Sequence, residues 1–419
     1  MSNKTEIKNC DQMASSLLSV NDARQRILES VTVVAGHEKI AIRASLNRIL
    51  DSDILSPINV PSYDNSAMDG YAINSADIPS SGQVVLNLAG KSFAGQPYNK
   101  KMLPGQTIRI MTGAMMPEGA DSVVMQEHAQ VDGDNITITS SHCKGENVRY
   151  IGEDMKDGEI ILQPGKKITP AELGLLSSLG IAEVKVKRKL RVAFFSTGDE
   201  LRSVGEPLKQ GQIYDSNRYT LYGMLQRLNV ELIDMGVIAD NRDDIRQAFT
   251  DAASIADAVI TSGGVSVGEA DFVKDTLEEL GQVNFWRVAM KPGKPMAIGT
   301  IGNAAFFGVP GNPVSAMAVF YQFVQPALSK MMGHEAVFKL EMKLPCLTAL
   351  HKAPGRLEYQ RGVMSYDDKG KMVVTTSGKQ GSHILTSMSR ANCFIVLEAD
   401  NAGVAEGGLV TVQPFTDFV

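Results

Sequence analysis

Between Leu190 and Met332, short apolar runs alternate with segments whose apolar positions recur at helical spacing. Arg191-Val-Ala-Phe-Phe-Ser-Thr predicts a strand, Arg218 to Leu228 a helix, Glu231 to Ile238 a strand and Arg242 to Ala253 a helix. Ala258-Val-Ile-Thr predicts a further buried strand, followed by an amphipathic helix opening at Asp271. Phe306-Phe-Gly-Val-Pro and Pro313 to Met332 supply another strand and helix. Parallel strands need crossovers and are covered on both faces, so this alternation predicts a doubly wound, mostly parallel sheet.

The rest of the chain has other periods. Residues 11 to 30 carry one apolar helical face, with Val20, Ala23, Ile27 and Leu28, and a second amphipathic segment is expected near 41 to 50, closed before Pro57. From 83 to 140, short alternating runs separated by glycine-bearing turns predict a small β barrel or sandwich. Thr169, Pro170 and Glu172 form a capping box for a helix running to Gly180. Residues 148–188 resemble the N-terminal segment more than the β run between them. The expected organisation is therefore a discontinuous mixed α/β domain (1–55 and 148–188) interrupted by an inserted β domain (56–147). A doubly wound domain (189–333) and a C-terminal β domain of short strands (334–419) follow. The expected fold class is α/β multidomain.

Composition narrows the partners. A chain of 419 residues exceeds one hydrophobic core, and at about 100 to 200 residues per domain it holds two to four. The formal charge of -6 disfavours a general nucleic-acid binder while leaving room for a local basic pocket. No apolar run reaches the roughly 18 residues of a membrane span. Residues 1 to 20 lack the pattern of an export signal, so a cytoplasmic location is expected. Cys10, Cys143, Cys346 and Cys393 are far apart, show no zinc-ligand spacing and read as reduced, buried thiols.

Ligands of doubly wound sheets bind beyond the carboxyl ends of the strands, and this selects the candidate chemistry. The turns there are Ser196-Thr197-Gly198-Asp199-Glu200, Ala239-Asp240-Asn241, Ser262-Gly263-Gly264 through to Gly268-Glu269-Ala-Asp271, and Gly308-Val-Pro310-Gly-Asn312-Pro313. They gather Asp199, Glu200, Asp240 and Asp271. Clustered carboxylates need a proton or a cation to offset their repulsion, and Mg2+ suits acids combined with ligand phosphates. Glycines at 263, 264 and 268 let a ligand approach the backbone. Lys291 and Lys294, fixed by the prolines and glycine of Met290-Lys-Pro-Gly-Lys-Pro295, suit an oxyanion or phosphate; read alone, they are equally a solvated basic turn. The polar loop Val60 to Ala72 presents Asp69 beside Gly70, and Thr112 lies beside a glycine at a strand exit.

The chain resembles the molybdopterin molybdenumtransferase family, which includes the MoeA proteins and the E-domain of gephyrin. The resemblance is carried in order by Pro61-Ser-Tyr-Asp-Asn-Ser-Ala-Met-Asp-Gly-Tyr-Ala72, Ser196-Thr-Gly-Asp-Glu-Leu201, Ser262 to Asp271, Met290 to Pro295 and Val309-Pro-Gly-Asn-Pro-Val-Ser315. It implies insertion of molybdate into adenylylated molybdopterin with release of AMP, the last step of molybdenum cofactor synthesis. It also implies a homodimer in which Asp69 and Thr112 reach the partner's cleft, and a separate adenylyltransferase that supplies the substrate. By matching position, Glu200, Asp240 and Asp271 are implied as Mg2+ and pyrophosphate-handling residues, and Lys291 and Lys294 as oxyanion ligands. Ser196, Thr197, Gly198, Ser262, Gly263, Gly264, Pro310, Asn312 and Pro313 are implied to line the substrate.

The sequence departs from the family pattern twice. Arg149 is followed by Tyr150 and Ile151 where further basic residues are common, and Arg356 is followed by Leu357 where a second arginine is frequent. Ser382-His383 and Ser387 to Asn392 could touch a ligand edge, but surface loops are the simpler reading. The runner-up function is a gephyrin-like dimeric scaffold for a protein partner, and a third is a metal-dependent nucleotide hydrolase.

Overall fold

The computed structural model describes residues 17–139, 142–263, 272–334 and 340–415. In the central domain, β1 (Arg191–Thr197), α1 (Ser216–Arg227), β2 (Glu231–Ile238), α2 (Arg242–Ile255), β3 (Ala258–Ser262) and α3 (Phe272–Leu280) alternate as the sequence predicts. The strands β4 (Gly281–Arg287), β5 (Pro295–Ile301) and β6 (Ala304–Val309) follow, then α4 (Pro313–Val319). The sheet order is β2-β1-β3-β6-β5-β4. The first four are mutually parallel, whereas β5 runs antiparallel to β6 and β4 antiparallel to β5. The alternation of apolar runs did not reveal this antiparallel edge.

Burial on both faces explains the uninterrupted apolar run of β1. Val192 and Phe194 enter one core with Leu221, Leu225 and Phe307. Ala193 and Phe195 enter the other with Ile245, Phe249 and Phe306. Phe249 packs edge-to-face against Phe195 and Phe306, with centroid separations of 5.2 and 5.6 Å. Asp215 and Asn241 cap α1 and α2, accepting from the backbone N–H groups of Arg218 and Asp244, which fixes where each helix leaves the sheet edge.

The helix Val20–Ser30, capped by Ser19, sends Val20, Ala23 and Ile27 into the central core, so it packs there rather than over the segment that follows it. Near 41–50, the place of the expected second amphipathic segment, the strand His37–Ala41 ends, a short 3-10 turn, Ile42–Ala44, follows, and Ile49 and Leu50 make isolated bridges to Lys167 and Val186. Asn47 adopts a left-handed φ of 62° that ends any helical continuation. His37–Ala41 pairs with Glu183–Lys187, and Ile54–Leu55 with Ile160–Leu162. These pairings enclose a core of Leu50, Ile168, Leu176, Val184 and Val186. The capping box forms as predicted at Thr169 and Glu172, opening the helix Pro170–Ser178.

The inserted β sheet has the order Ser122–Met125, Gly70–Ile73, Gln106–Ile110, Gln83–Ser92, Asn135–Thr139, Ala129–Asp132. The polar stretch 60–72 is therefore partly sheet. A Cβ on Gly70 would lie 1.9 Å from the Val124 carbonyl oxygen, so cross-strand contact alone demands this glycine. Val148–Arg149 pairs with Asn65–Ser66, on the insert's side of the expected boundary.

The C-terminal sheet runs Met290–Lys291, Leu357–Tyr366, Cys393–Leu397, Leu409–Pro414, Met342–Pro345. Its first strand thus comes from the central domain's lysine loop. Leu385–Arg390 is a helix with Ser387 buried, correcting the surface loop expected there. Cys346 and Cys393 are buried, but Cys143 is exposed, contrary to expectation; Cys10 lies outside the described residues. Among the described residues no helix is long and apolar enough to cross a membrane.

Candidate active site

Strand register places the selected turns level with one another. Thr197 is opposite Ile238, Ser196 opposite Ser262, and Ser262 opposite Val309. Ala297 is opposite Gly308, so β5 begins at this same edge and brings the lysine loop to it. Acidic turns therefore occupy the β2–β1 end and lysines the β5–β4 end, with Ser262, Gly263 and Pro310 between them. At about 4.8 Å per strand spacing, β1 and β5 stand roughly 14 Å apart along the edge.

At the acidic end, the Asp240 backbone N–H donates to Asp199 Oδ1 at 3.2 Å. Asp240 sits at the surface, yet partial desolvation, followed by the negative charges of Asp199 and Glu200, raises its pKa. These acids therefore share one electrostatic neighbourhood. The Glu200 carboxylate folds back over Gly198, where a Cβ would lie 2.6 Å from Oε2. Among the described residues, no three acids, histidines or cysteines are already arranged to hold a metal. Asp271, Gly264, Gly268 and Glu269 lie outside the described residues.

The centre of the edge is tightly built. Gly263 has φ 97°, its N–H donates to Val309 O at 3.2 Å, and a Cβ there would lie 2.8 Å from the Thr197 carbonyl oxygen. Beneath it, Asn217 Nδ2 donates to Ser262 Oγ and to Gly311 O, both at 2.7 Å. One buried amide thus ties α1 to the turns after β3 and β6. The buried Ser196 Oγ and Thr261 Oγ1 have no hydrogen-bond partner among the described residues, leaving polar capacity at the carboxyl ends of β1 and β3.

At the basic end, Lys291 Nζ donates to Glu358 Oε1 at 3.0 Å. Gly293 has φ 99°, and a Cβ would lie 2.8 Å from Val319 Cγ2, so the loop packs closely on α4. Lys294 is half-buried, and its carbonyl accepts from the Val288 N–H at 2.8 Å. Pro310 is buried, Asn312 exposed, and Pro313 opens α4. The Val314 N–H donates to Ser382 O at 3.2 Å, seating the 379–387 segment against this helix. Arg361, 1% exposed, stiffens that segment by donating to Ser387 Oγ, Lys379 O and Gly381 O; burial pushes its pKa down to about 10.

Asp69 and Thr112 do meet. The Thr112 backbone N–H and hydroxyl each donate to Asp69 Oδ1 at 2.8 Å. Those bonds, the backbone one first, hold the Asp69 carboxyl below its usual range. Among the described residues the pair makes no hydrogen bond to the central domain. Sequence reasoning missed Asn217, Glu358, Gln360 and Arg361. The helix was expected to start at Arg218, whereas the cap at Asp215 places Asn217 in its first turn; the Asp-Ser-Asn triplet was the available signal.

Three family models match successive parts of the chain. They are the MoeA N-terminal region (domain I and II) over residues 18–180, the probable molybdopterin binding domain over 193–330, and the MoeA C-terminal region (domain IV) over 343–415. A molybdopterin molybdenumtransferase of Haemophilus influenzae is 49% identical over 405 residues, covering 95% of this chain and 99% of that protein. A gephyrin of Dictyostelium discoideum is 35% identical over 94% of this chain and 62% of its own length. The solved structure of the molybdopterin biosynthesis moeA protein from Pyrococcus horikoshii superimposes with a TM-score of 0.83 at 28% identity, covering 96% of this chain and all of that one.

Proposed function

The chain belongs to the molybdopterin molybdenumtransferase family, and from that premise we propose that it inserts molybdate into adenylylated molybdopterin and releases AMP. The observation that carries this reading is the polarity of the level strand edge: carboxylates gather after β1 and β2, lysines before β5. An extended ligand with a phosphate-rich end and an oxyanion-receiving end fits that order.

Asp240, raised in pKa beside Asp199 and Glu200, marks a place where added positive charge is favourable. We assign Mg2+ there, held by Glu200 and Asp240 together with Asp271; when bound, it neutralises phosphate charge and polarises the phosphoryl group. The protein's own groups do the rest. Lys291 and Lys294 bind the oxyanion, while Gly263 lets the turn after β3 close on the Thr197 carbonyl and Gly198 leaves room for the Glu200 carboxylate. Asn217 keeps the middle turns in register, and the reaction needs no covalent protein nucleophile.

A homodimer, in which the Asp69–Thr112 pair completes the partner's cleft, belongs to the same reading, as do a cytoplasmic location and a separate adenylyltransferase. Support for the cross-subunit role is that the pair is held in a fixed geometry yet makes no bond to its own central domain. The likeness to a gephyrin favours a second reading, a dimeric scaffold, which would leave the acids and lysines without a task.

The test supplies purified protein with adenylylated molybdopterin, Mg2+ and molybdate. AMP release that depends on molybdate, with product that activates an apo-molybdoenzyme, is expected. Equal AMP release without molybdate would refute the transferase and leave the hydrolase; no release at all would leave the scaffold.

A further inference from the structure

We infer that Glu358, a residue of the C-terminal domain, is a positioning residue that sets the Lys291 ammonium for oxyanion binding, a role that rests on the transferase reading. The backbone makes the first connection. Met290–Lys291 pairs in parallel with Leu357–Glu358, so the lysine loop is an edge strand of the C-terminal sheet. The side chains make the second, through the 3.0 Å bond from Lys291 Nζ to Glu358 Oε1.

The two partners differ in freedom. Glu358 is 6% exposed, and its other oxygen accepts from Gln360 Nε2 at 3.1 Å. Gln360 is itself buried and also reaches His351 O at 3.3 Å. The carboxylate is thus held at both oxygens. The Lys291 side chain is 51% exposed and has three donors, of which Glu358 takes one. A long flexible cation is anchored at one donor with the others left for a ligand, which removes rotamer freedom before the ligand arrives.

A carboxylate beside a cationic site also weakens its attraction for anions. Here that effect is offset, because the buried Lys352 ammonium, bonded to Ala353 O, Ala399 O and Asn401 O, faces the same carboxylate. Arg356 stands exposed on the same strand approach. Asp400 also faces Lys352, yet Lys291, Lys352 and Arg356 outnumber Glu358 and Asp400, so the neighbourhood stays cationic and orienting Lys291 outweighs neutralising it.

The test uses the full chain, with AMP release measured as molybdate is varied at saturating adenylylated molybdopterin. Glu358→Ala is expected to raise the KM for molybdate about tenfold, and Glu358→Gln, which keeps an acceptor and the contact with Gln360, about threefold. In both, kcat should stay within about twofold and the KM for adenylylated molybdopterin should not move. Lys291→Ala combined with Glu358→Ala should match Lys291→Ala alone, since Glu358 acts through that lysine. An unchanged molybdate KM in a folded Glu358→Ala protein overturns the inference, as does an additive effect in the double variant. If Glu358→Ala fails to fold, Glu358→Gln is judged by the same criteria. If wild-type protein releases no AMP, the transferase reading fails by itself. Calorimetric titration with molybdate then decides the positioning claim: weaker binding by Glu358→Gln supports it and equal binding refutes it.

Discussion

Asn217→Ala isolates the contribution of the buried strut beneath the site. The wild-type amide donates two bonds of 2.7 Å, to Ser262 Oγ and Gly311 O, from a residue 7% exposed. Each such bond contributes about 1 kcal/mol net, so the pair contributes about 2 kcal/mol toward holding the turns after β3 and β6 in one arrangement. At about 1.4 kcal/mol per factor of ten, loss of that arrangement predicts a fall of about 30-fold in kcat/KM for molybdate-dependent AMP release. The α1 helix should survive, because its cap is Asp215 and not Asn217. Asn217→Asp should be worse than Asn217→Ala, since it places an acceptor against the Gly311 carbonyl where a donor was. The assay is initial AMP release with both substrates varied, with circular dichroism to establish folding. Folded Asn217→Ala protein within about threefold of wild type would show that the turns hold themselves, and the strut argument would fall.

Gly198→Ala puts a Cβ 2.6 Å from the present position of Glu200 Oε2 and must push that carboxylate aside. In the folded variant, destabilised because Gly198 has φ 147° and a Cβ there is strained, the Mg2+ concentration giving half-maximal AMP release should rise about tenfold; an unaltered Mg2+ titration would count against Glu200 as a ligand. Asp69→Ala subunits mixed with Asp240→Asn subunits should regain activity in verified heterodimers, each mutation leaving one cleft intact, whereas either variant alone should be inactive. At Glu172, burial pushes the carboxyl upward, but bonds from Thr169 and Lys166 prevail and bring it from 4.5 to about 2. Its folded pKa lies below the unfolded one, so this stability is complete above about pH 4.5 and lost as pH falls toward about 2. Denaturant unfolding should show that loss in wild type and a flatter dependence in Glu172→Gln, which should also be about 1 kcal/mol less stable near neutrality.

What the sequence made legible was local or rule-bound. The central strands announced themselves because burial on both faces removes polar residues from the run, and the capping box because its chemistry spans four consecutive residues. The rule that ligands meet the carboxyl edge then selected Asp199, Glu200 and Asp240 together. Residues 41–50 misled because Ile42, Leu46, Ile49 and Leu50 mimic helical spacing, while the decisive contacts come from Glu183–Lys187, far along the chain. The same distance hid the supporting residues. Lys291 and Glu358 are 67 positions apart, Asn217 and Ser262 45. Neither member of such a pair carries a local sign of the other.

The clasp formed by His37–Ala41 with Glu183–Lys187 sets an order of events during synthesis. The first strand leaves the ribosome without a partner, and about 150 residues must be added before its complement exists, which takes roughly 8 to 30 seconds at about 5–20 residues per second. The inserted sheet has all its strands by Thr139 and can close in that interval. The guest can therefore close before its host is complete, and once closed its compact bulk shortens the distance over which the host's two halves must find each other. A slowly translated stretch placed before Glu183 would lengthen the exposure of the lone strand His37–Ala41, making the tempo of synthesis, and not only the finished contacts, a determinant of yield.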